Sequence, residues 1–225
     1  MSDAVERASA LRAYADESAA CAKCRLSGTR TQVVFGVGDP DADLMFVGEA
    51  PGFHEDQQGI PFVGQAGKLL DRLLEGIGLA RSDIYIANVI KCRPPQNRDP
   101  QPEEIASCEP HLFRQIEVIQ PKLVATLGNF ATKLLSGKPL GITRVHGQEQ
   151  EVMLGASRVL LYPLYHPAAA LYTPSMLKVL EQDFARIPEL IARAEASVPV
   201  ALAPGVQETV DLPAPEPEPV QLGLF

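Results

Sequence analysis

The chain has 225 residues, 46% of them apolar and 21% charged, with a formal net charge of −8. This composition excludes wholesale disorder and a fibrous repeat, and it suits one ordinary domain with at most an appendage. No apolar run approaches the ~20 residues needed to span a bilayer, and the acidic Met1 to Ala10 lacks a signal peptide's basic-then-apolar plan, so a cytoplasmic protein without membrane contact is expected.

In chain order, the first feature is a cysteine pair two residues apart, Cys21 and Cys24, set in a polar segment with Lys23, Arg25 and Ser27. Leu44–Val47 reads as a strand and runs into Gly48-Glu49-Ala50-Pro51-Gly52. After Gly59-Ile60-Pro61-Phe62-Val63-Gly64, the residues Leu69, Leu70, Leu73, Leu74 and Ile77 mark one face of a helix ended by Gly78. Ile84–Ile90 predicts a second strand carrying Asn88 near its end. Leu123–Leu127 and Arg158–Leu164 predict two more, and Ile105 to Ile119 and Phe130 to Leu135 predict helices. This alternation predicts an α/β fold with a central, largely parallel sheet flanked by helices. Ligands of such folds sit at the carboxyl ends of the strands. The unusual residues fall there: the Gly48–Gly52 loop, Asn88, and His166-Pro167 after the last strand. No internal repeat is visible.

The domain is expected to span residues 1–196. From Glu195 onward there are five acids, six prolines and no Lys or Arg, which leaves 20 basic and 23 acidic residues for the body. That near-neutral body has room for a local basic groove that contacts phosphates. Residues 197–220 cannot bury enough apolar surface to offset their ordering entropy and are expected to form a disordered C-terminal linker. The chain then ends Gln221-Leu222-Gly223-Leu224-Phe225, with three large apolar residues at the tip of that tether.

Four cysteines in a cytoplasmic chain point to metal or redox chemistry rather than a disulfide framework. Cys92 and Cys108 are separated by fifteen residues, so the second half is not a two-residue knuckle. Spacing alone leaves open a structural zinc, an iron–sulfur cluster and four inert buried thiols. Lys23, Arg25, Lys91 and Arg93 flank three of the thiols, where they would offset a cluster's negative charge or meet DNA phosphate.

The ordered set of the Cys21/Cys24 pair, GEAPG at 48–52, GIPFVG at 59–64, Asn88-Val-Ile-Lys-Cys92-Arg-Pro, Cys108 and His166-Pro167 resembles the iron–sulfur (family 4) uracil-DNA glycosylases over about residues 10–190. The resemblance implies a uracil-DNA glycosylase-like fold and a monomer. It also implies hydrolysis of the N-glycosidic bond of deoxyuridine in DNA, with release of uracil, and a 4Fe-4S cluster on Cys21, Cys24, Cys92 and Cys108.

By the same resemblance Phe62 is the platform on which the flipped base stacks, and Gly48 and Ala50 line its pocket. The Asn88 amide pairs with uracil O4 and N3–H, a pattern cytosine reverses, and His166 donates to O2 as negative charge gathers there. Sister enzymes carry an Asp where Ala50 stands here, so Glu49 takes over work on the attacking water or the cationic sugar. They also block thymine with a Tyr where Gly52 stands, and Glu55 is the candidate to do so here. Lys68 lies at a helix start suited to a DNA phosphate, and Leu171 is placed to wedge into the gap left by the base. Gln221, Leu222, Leu224 and Phe225 resemble the QLxLF motif by which bacterial replication and repair proteins bind the sliding clamp. The competing reading is a non-catalytic uracil- or DNA-binding module with a structural metal site. A P-loop nucleotide-binding protein is disfavoured because GEAPG lacks the P-loop lysine.

Overall fold

The structure, a computed structural model, describes residues 3–196. The 197–220 linker and the 221–225 peptide read from the sequence lie outside the described residues. In chain order the elements begin with α1 (Asp3–Ala19), β1 (Val37–Gly38), β2 (Leu44–Gly48), α2 (Phe53–Gln58), α3 (Gln65–Glu75) and β3 (Tyr85–Asn88). There follow α4 (Pro102–Ile119), β4 (Leu123–Leu127), α5 (Asn129–Ser136), α6 (Ile142–Val145) and the hairpin β5 (Gln150–Leu154) and β6 (Ser157–Leu164). Three helices close the domain: α7 (Pro167–Ala170), α8 (Pro174–Ala185) and α9 (Ile187–Ala196).

The strands form one six-stranded sheet in the order β1-β3-β2-β4-β6-β5. The four central strands are parallel, and β1 and β5 add antiparallel edges. Both faces of the sheet are covered, which is why its central strands read as unbroken apolar runs. Residues alternate between the layers at the two-residue period of a strand. Met45, Val47, Tyr85, Ala87 and Val124 enter one core with Leu11, Tyr14, Leu112 and Ile116 of α1 and α4. Leu44, Phe46, Ile84, Ile86 and Ala125 enter the other with Leu70, Leu74, Leu180, Phe184 and Leu190 of α3, α8 and α9. Leu70 is fully buried there, and truncating such a side chain costs about 2–5 kcal/mol.

The expected central sheet is present, with its strands within two residues of the sequence reading. The helix expected to run to Gly78 ends at Glu75, and residues 76–78 form the turn that closes it. At φ 77° Gly78 takes the left-handed conformation in which its N–H reaches Glu75 O and the Leu79 N–H reaches Leu74 O. The sequence reading has no β1, β5, α8 or α9. β1 is only two residues long, and β5 lies at an edge with exposed and half-buried residues alternating, so neither makes an apolar run. No helix among the described residues is long and apolar enough to cross a membrane.

Candidate active site

The parallel order β3-β2-β4-β6 reverses direction between β2 and β4, and a doubly wound sheet opens a crevice at such a point. One cleft at these carboxyl ends is lined by Glu49, Ala50, Gly52, Glu55, Phe62, Asn88, Arg98 and His166. Gly48 forms its floor: a Cβ there would lie 2.5 Å from Asn88 Oδ1 and 2.6 Å from the Phe62 ring. Asn88 pairs with Gly48 in the β2–β3 ladder and is 2% exposed, and its Oδ1 is buried without a hydrogen-bond partner among the described residues. Buried acceptors are rarely left unpaired, so this one marks a place for a donor.

Phe62 is buried with its backbone at φ 55°, a left-handed conformation costly for an aromatic residue. Arg81 offsets that strain, its guanidinium donating to Phe62 O, to Pro61 O at 3.1 Å and to Asp71 Oδ1 at 2.5 Å. Gly67, on the first turn of α3, lets the helix approach, because a Cβ there would meet the Phe62 carbonyl at 1.7 Å. Glu55 closes the other side of the loop by accepting the N–H groups of Val63 and Gly64 at 3.0 Å each.

The His166 ring stacks on Phe62 with centroids 5.6 Å apart and 27° between planes. Its Nδ1 accepts the Ala168 N–H at 3.1 Å, so the ring proton resides on Nε2. Loss of water around the ring pulls its pKa down to about 4, and the imidazole is neutral at physiological pH. Glu49 is half-buried, and burial, with the nearby Asp99 charge, raises its pKa above the usual carboxylate range. Its carboxylate has no hydrogen-bond partner among the described residues, so it does not cap the following turn.

Cys21, Cys24, Cys92 and Cys108 line one second cavity, together with Ser18, Arg30, Lys91 and His111. The Lys91 N–H donates to Cys108 Sγ at 3.2 Å and Arg30 Nη1 to Cys92 Sγ at 3.4 Å. Burial pushes the Cys92 thiol up to about 11 and Cys108 upward as well, against the pull of Arg30 and Lys91. Four thiols with one guanidinium and one backbone N–H donor are a set suited to a soft metal centre. Among the described residues no three Cys, His, Asp or Glu side chains converge as they would around a single ion.

A family model described as the uracil-DNA glycosylase superfamily matches residues 35–187. The chain belongs to this superfamily. It is 48% identical over 180 residues to a type-4 uracil-DNA glycosylase of Sulfurisphaera tokodaii, covering 78% of this chain and 82% of that one. A type-4 uracil-DNA glycosylase of Archaeoglobus fulgidus is 46% identical over 81% of this chain and 94% of its own. One from Thermotoga maritima is 42% identical over 77% and 90% respectively.

Within this uracil-DNA glycosylase framework Lys91 joins the two cavities. Its backbone N–H meets Cys108, while its buried ammonium donates to Asn88 O at 2.9 Å and Gln115 Oε1 at 2.5 Å. At 2% exposure it cannot meet DNA phosphate, one of the two tasks its position in the sequence suggested. Burial lowers its pKa to about 8. Arg25 is also engaged, with Glu104 Oε1 at 2.9 Å, and Arg93 lies over the Phe53 ring at 5.1 Å.

Glu104 is fully buried and accepts from Arg98 of the cleft wall at 2.6 and 2.9 Å as well as from Arg25 beside Cys24. The sequence reading missed Arg81 and Glu104, which act on Phe62 nineteen residues away and on Arg25 seventy-nine residues away. Lys68 is exposed on α3 and Leu171 is partly buried against the second core, both outside the cleft lining. Tyr172, beside Leu171, is 89% exposed. The clamp-motif residues lie outside the described residues.

Proposed function

We propose that this chain hydrolyses the N-glycosidic bond of deoxyuridine in DNA, releasing uracil and leaving an abasic site. The observation that carries this reading is the buried Oδ1 of Asn88 beside the Phe62 ring, which has no partner among the described residues. A uracil stacked on Phe62 offers N3–H to Oδ1 and O4 to the amide NH2. Cytosine offers an acceptor and a donor in the reverse places and leaves buried groups unpaired. As the C1′–N1 bond breaks, its electron pair stays on the base, and the neutral His166 donates Nε2–H toward the charge at O2. Glu49 orients a water whose oxygen bonds to C1′ and whose proton passes to the carboxylate. Incubation with an oligonucleotide carrying one labelled uracil is expected to yield free uracil and an alkali-labile strand. Tight binding with an intact oligonucleotide would instead identify a binding module.

The four cysteines would hold a 4Fe-4S cluster. The four thiols that line one cavity and the N–H donors to Cys92 and Cys108 support this reading. When bound, the cluster supplies iron–thiolate bonds that tie the Cys21–Cys24 segment to Cys92 and α4. A straw-brown protein containing iron and acid-labile sulfide is expected, and a colourless zinc protein would overturn the assignment.

For DNA contact, Lys68 at the start of α3 would meet a phosphate and Leu171, with Tyr172 beside it, would fill the vacated stack. Glu55 would exclude thymine, since its Oε2 stands 2.7 Å from where a Cβ on Gly52 would be. The terminal Gln221, Leu222, Leu224 and Phe225 would dock on a bacterial sliding clamp and raise the enzyme's effective concentration at newly copied DNA. Deleting 221–225 should leave cleavage of a short oligonucleotide unchanged and abolish clamp binding by calorimetry. Undiminished binding would defeat this role.

A further inference from the structure

His111 lies on α4 three residues after Cys108, so the two share a helix face, and both line the cysteine cavity. The ring is 5% exposed. Tyr14 of α1 stacks on it at 5.6 Å, and the Tyr14 hydroxyl is 2.5 Å from Nδ1, with Ser18 Oγ at 3.4 Å. Two hydroxyls, those of Tyr14 and Ser18, converge on Nδ1, which meets them as an acceptor, so the pair is a phenol donating to a neutral imidazole, and burial favours the neutral form of both. With Nδ1 accepting, the ring's own proton is on Nε2. That Nε2 is buried and has no partner among the described residues. A donor nine-tenths removed from water, on the wall of a cavity lined by four thiols, is a group waiting for an acceptor.

We infer that His111 donates its Nε2–H to a sulfur of the iron–sulfur cluster and is a positioning residue for that cluster, held in the donor tautomer by Tyr14. The inference rests on the cluster reading above. Lys91 N–H and Arg30 Nη1 already serve Cys108 and Cys92, and His111 completes a set of three nitrogen donors drawn from separate parts of the chain. Hydrogen bonds to cluster sulfurs stabilise the more electron-rich state and thereby raise the reduction potential. They also draw electron density from the iron–sulfur bonds. The potential and the bond strengths therefore both report this contact, and neither depends on glycosylase turnover.

The test uses the full chain as purified with its cluster, comparing wild type, His111→Phe and His111→Gln by film voltammetry and resonance Raman spectroscopy. His111→Phe with a full complement of iron and sulfide should shift the midpoint potential negative and move the iron–sulfur stretching bands to higher frequency. His111→Gln, which keeps an N–H, should shift both by less. If His111→Phe does not retain the cluster, Tyr14→Phe leaves the ring in place but no longer fixes its tautomer, and it should shift both readouts in the same directions. Unshifted bands and potential in a fully loaded variant overturn the role of His111. A wild-type protein without iron and sulfide overturns the cluster reading itself, and the two failures are distinct.

Discussion

Asn88 sits opposite Gly48 in the β2–β3 ladder, and its amide oxygen reaches into the space that a Cβ on Gly48 would claim. The pair makes a base-sized slot out of a missing methyl group, with the Phe62 ring as the other occupant of the same space. Gly48→Ala would put a carbon within 2.5 Å of Oδ1 and 2.6 Å of the ring, and both side chains would have to leave the positions proposed to read uracil. Single-turnover uracil release should fall at least ~10²-fold, the scale of losing one transition-state donor. A variant within a few-fold of wild type would show that the base binds elsewhere.

The pH profile separates the two ionisable groups of the cleft. His166, lowered to about 4, is already neutral across the working range and contributes no acid limb near the usual histidine value. In its proposed role Glu49 must be ionised to take a proton, and its raised pKa places the acid limb above that of an ordinary carboxylate. The single-turnover rate should thus be flat above this limb and fall as Glu49 protonates, and Glu49→Gln should be slow and flat through the same range. An acid limb near pH 6.5 that vanishes in His166→Ala would reverse the assignment.

Arg81 fixes Phe62 in its left-handed backbone from nineteen residues away. Arg81→Gln should release this loop, weaken stacking of the base and raise KM more than it lowers kcat. Contacts of this kind are worth about 1–3 kcal/mol, so the upper limit is the effect of Phe62→Ala itself. An unchanged KM in a folded Arg81→Gln protein would mean that Glu55 and Gly67 hold the loop unaided.

The residues that line the cleft and are proposed to meet the base were legible in the sequence because each breaks the pattern around it. Gly48 and Asn88 end apolar strands, His166 precedes a proline, and Phe62 stands among glycines. Their supports were not legible, since Arg81, Lys91 and Glu104 are ordinary charged residues until the fold brings them to a carbonyl, an amide or two guanidiniums. β5 gave no apolar run because its edge position leaves alternate residues in solvent. α8 and α9 are a different omission: Leu180, Phe184, Ile187 and Leu190 recur at helical spacing, and the signal was there to be read.

Glu104 connects the cysteine segment to the cleft wall. Its fully buried carboxylate is held down to about 2, first by Arg98 and also by the Gln101 N–H and Arg25, against the opposing effect of burial. An unfolded Glu titrates near 4.3, so the folded value is the lower one. The stability contributed by the ionised carboxylate is then fully present above about pH 4.3 and disappears as the pH falls through about 2. Glu104→Gln should be destabilised relative to wild type at pH 7, and the gap in urea midpoint should close between about pH 4 and 2. Comparing the two proteins at each pH cancels whatever the cysteine site loses in acid. Because Arg98 lines the cleft and Arg25 follows Cys24, the same variant should also speed amide exchange in residues 94–101 and 24–28 together. Faster exchange in only one of these segments would mean that the two cavities are tied by Lys91 rather than by Glu104.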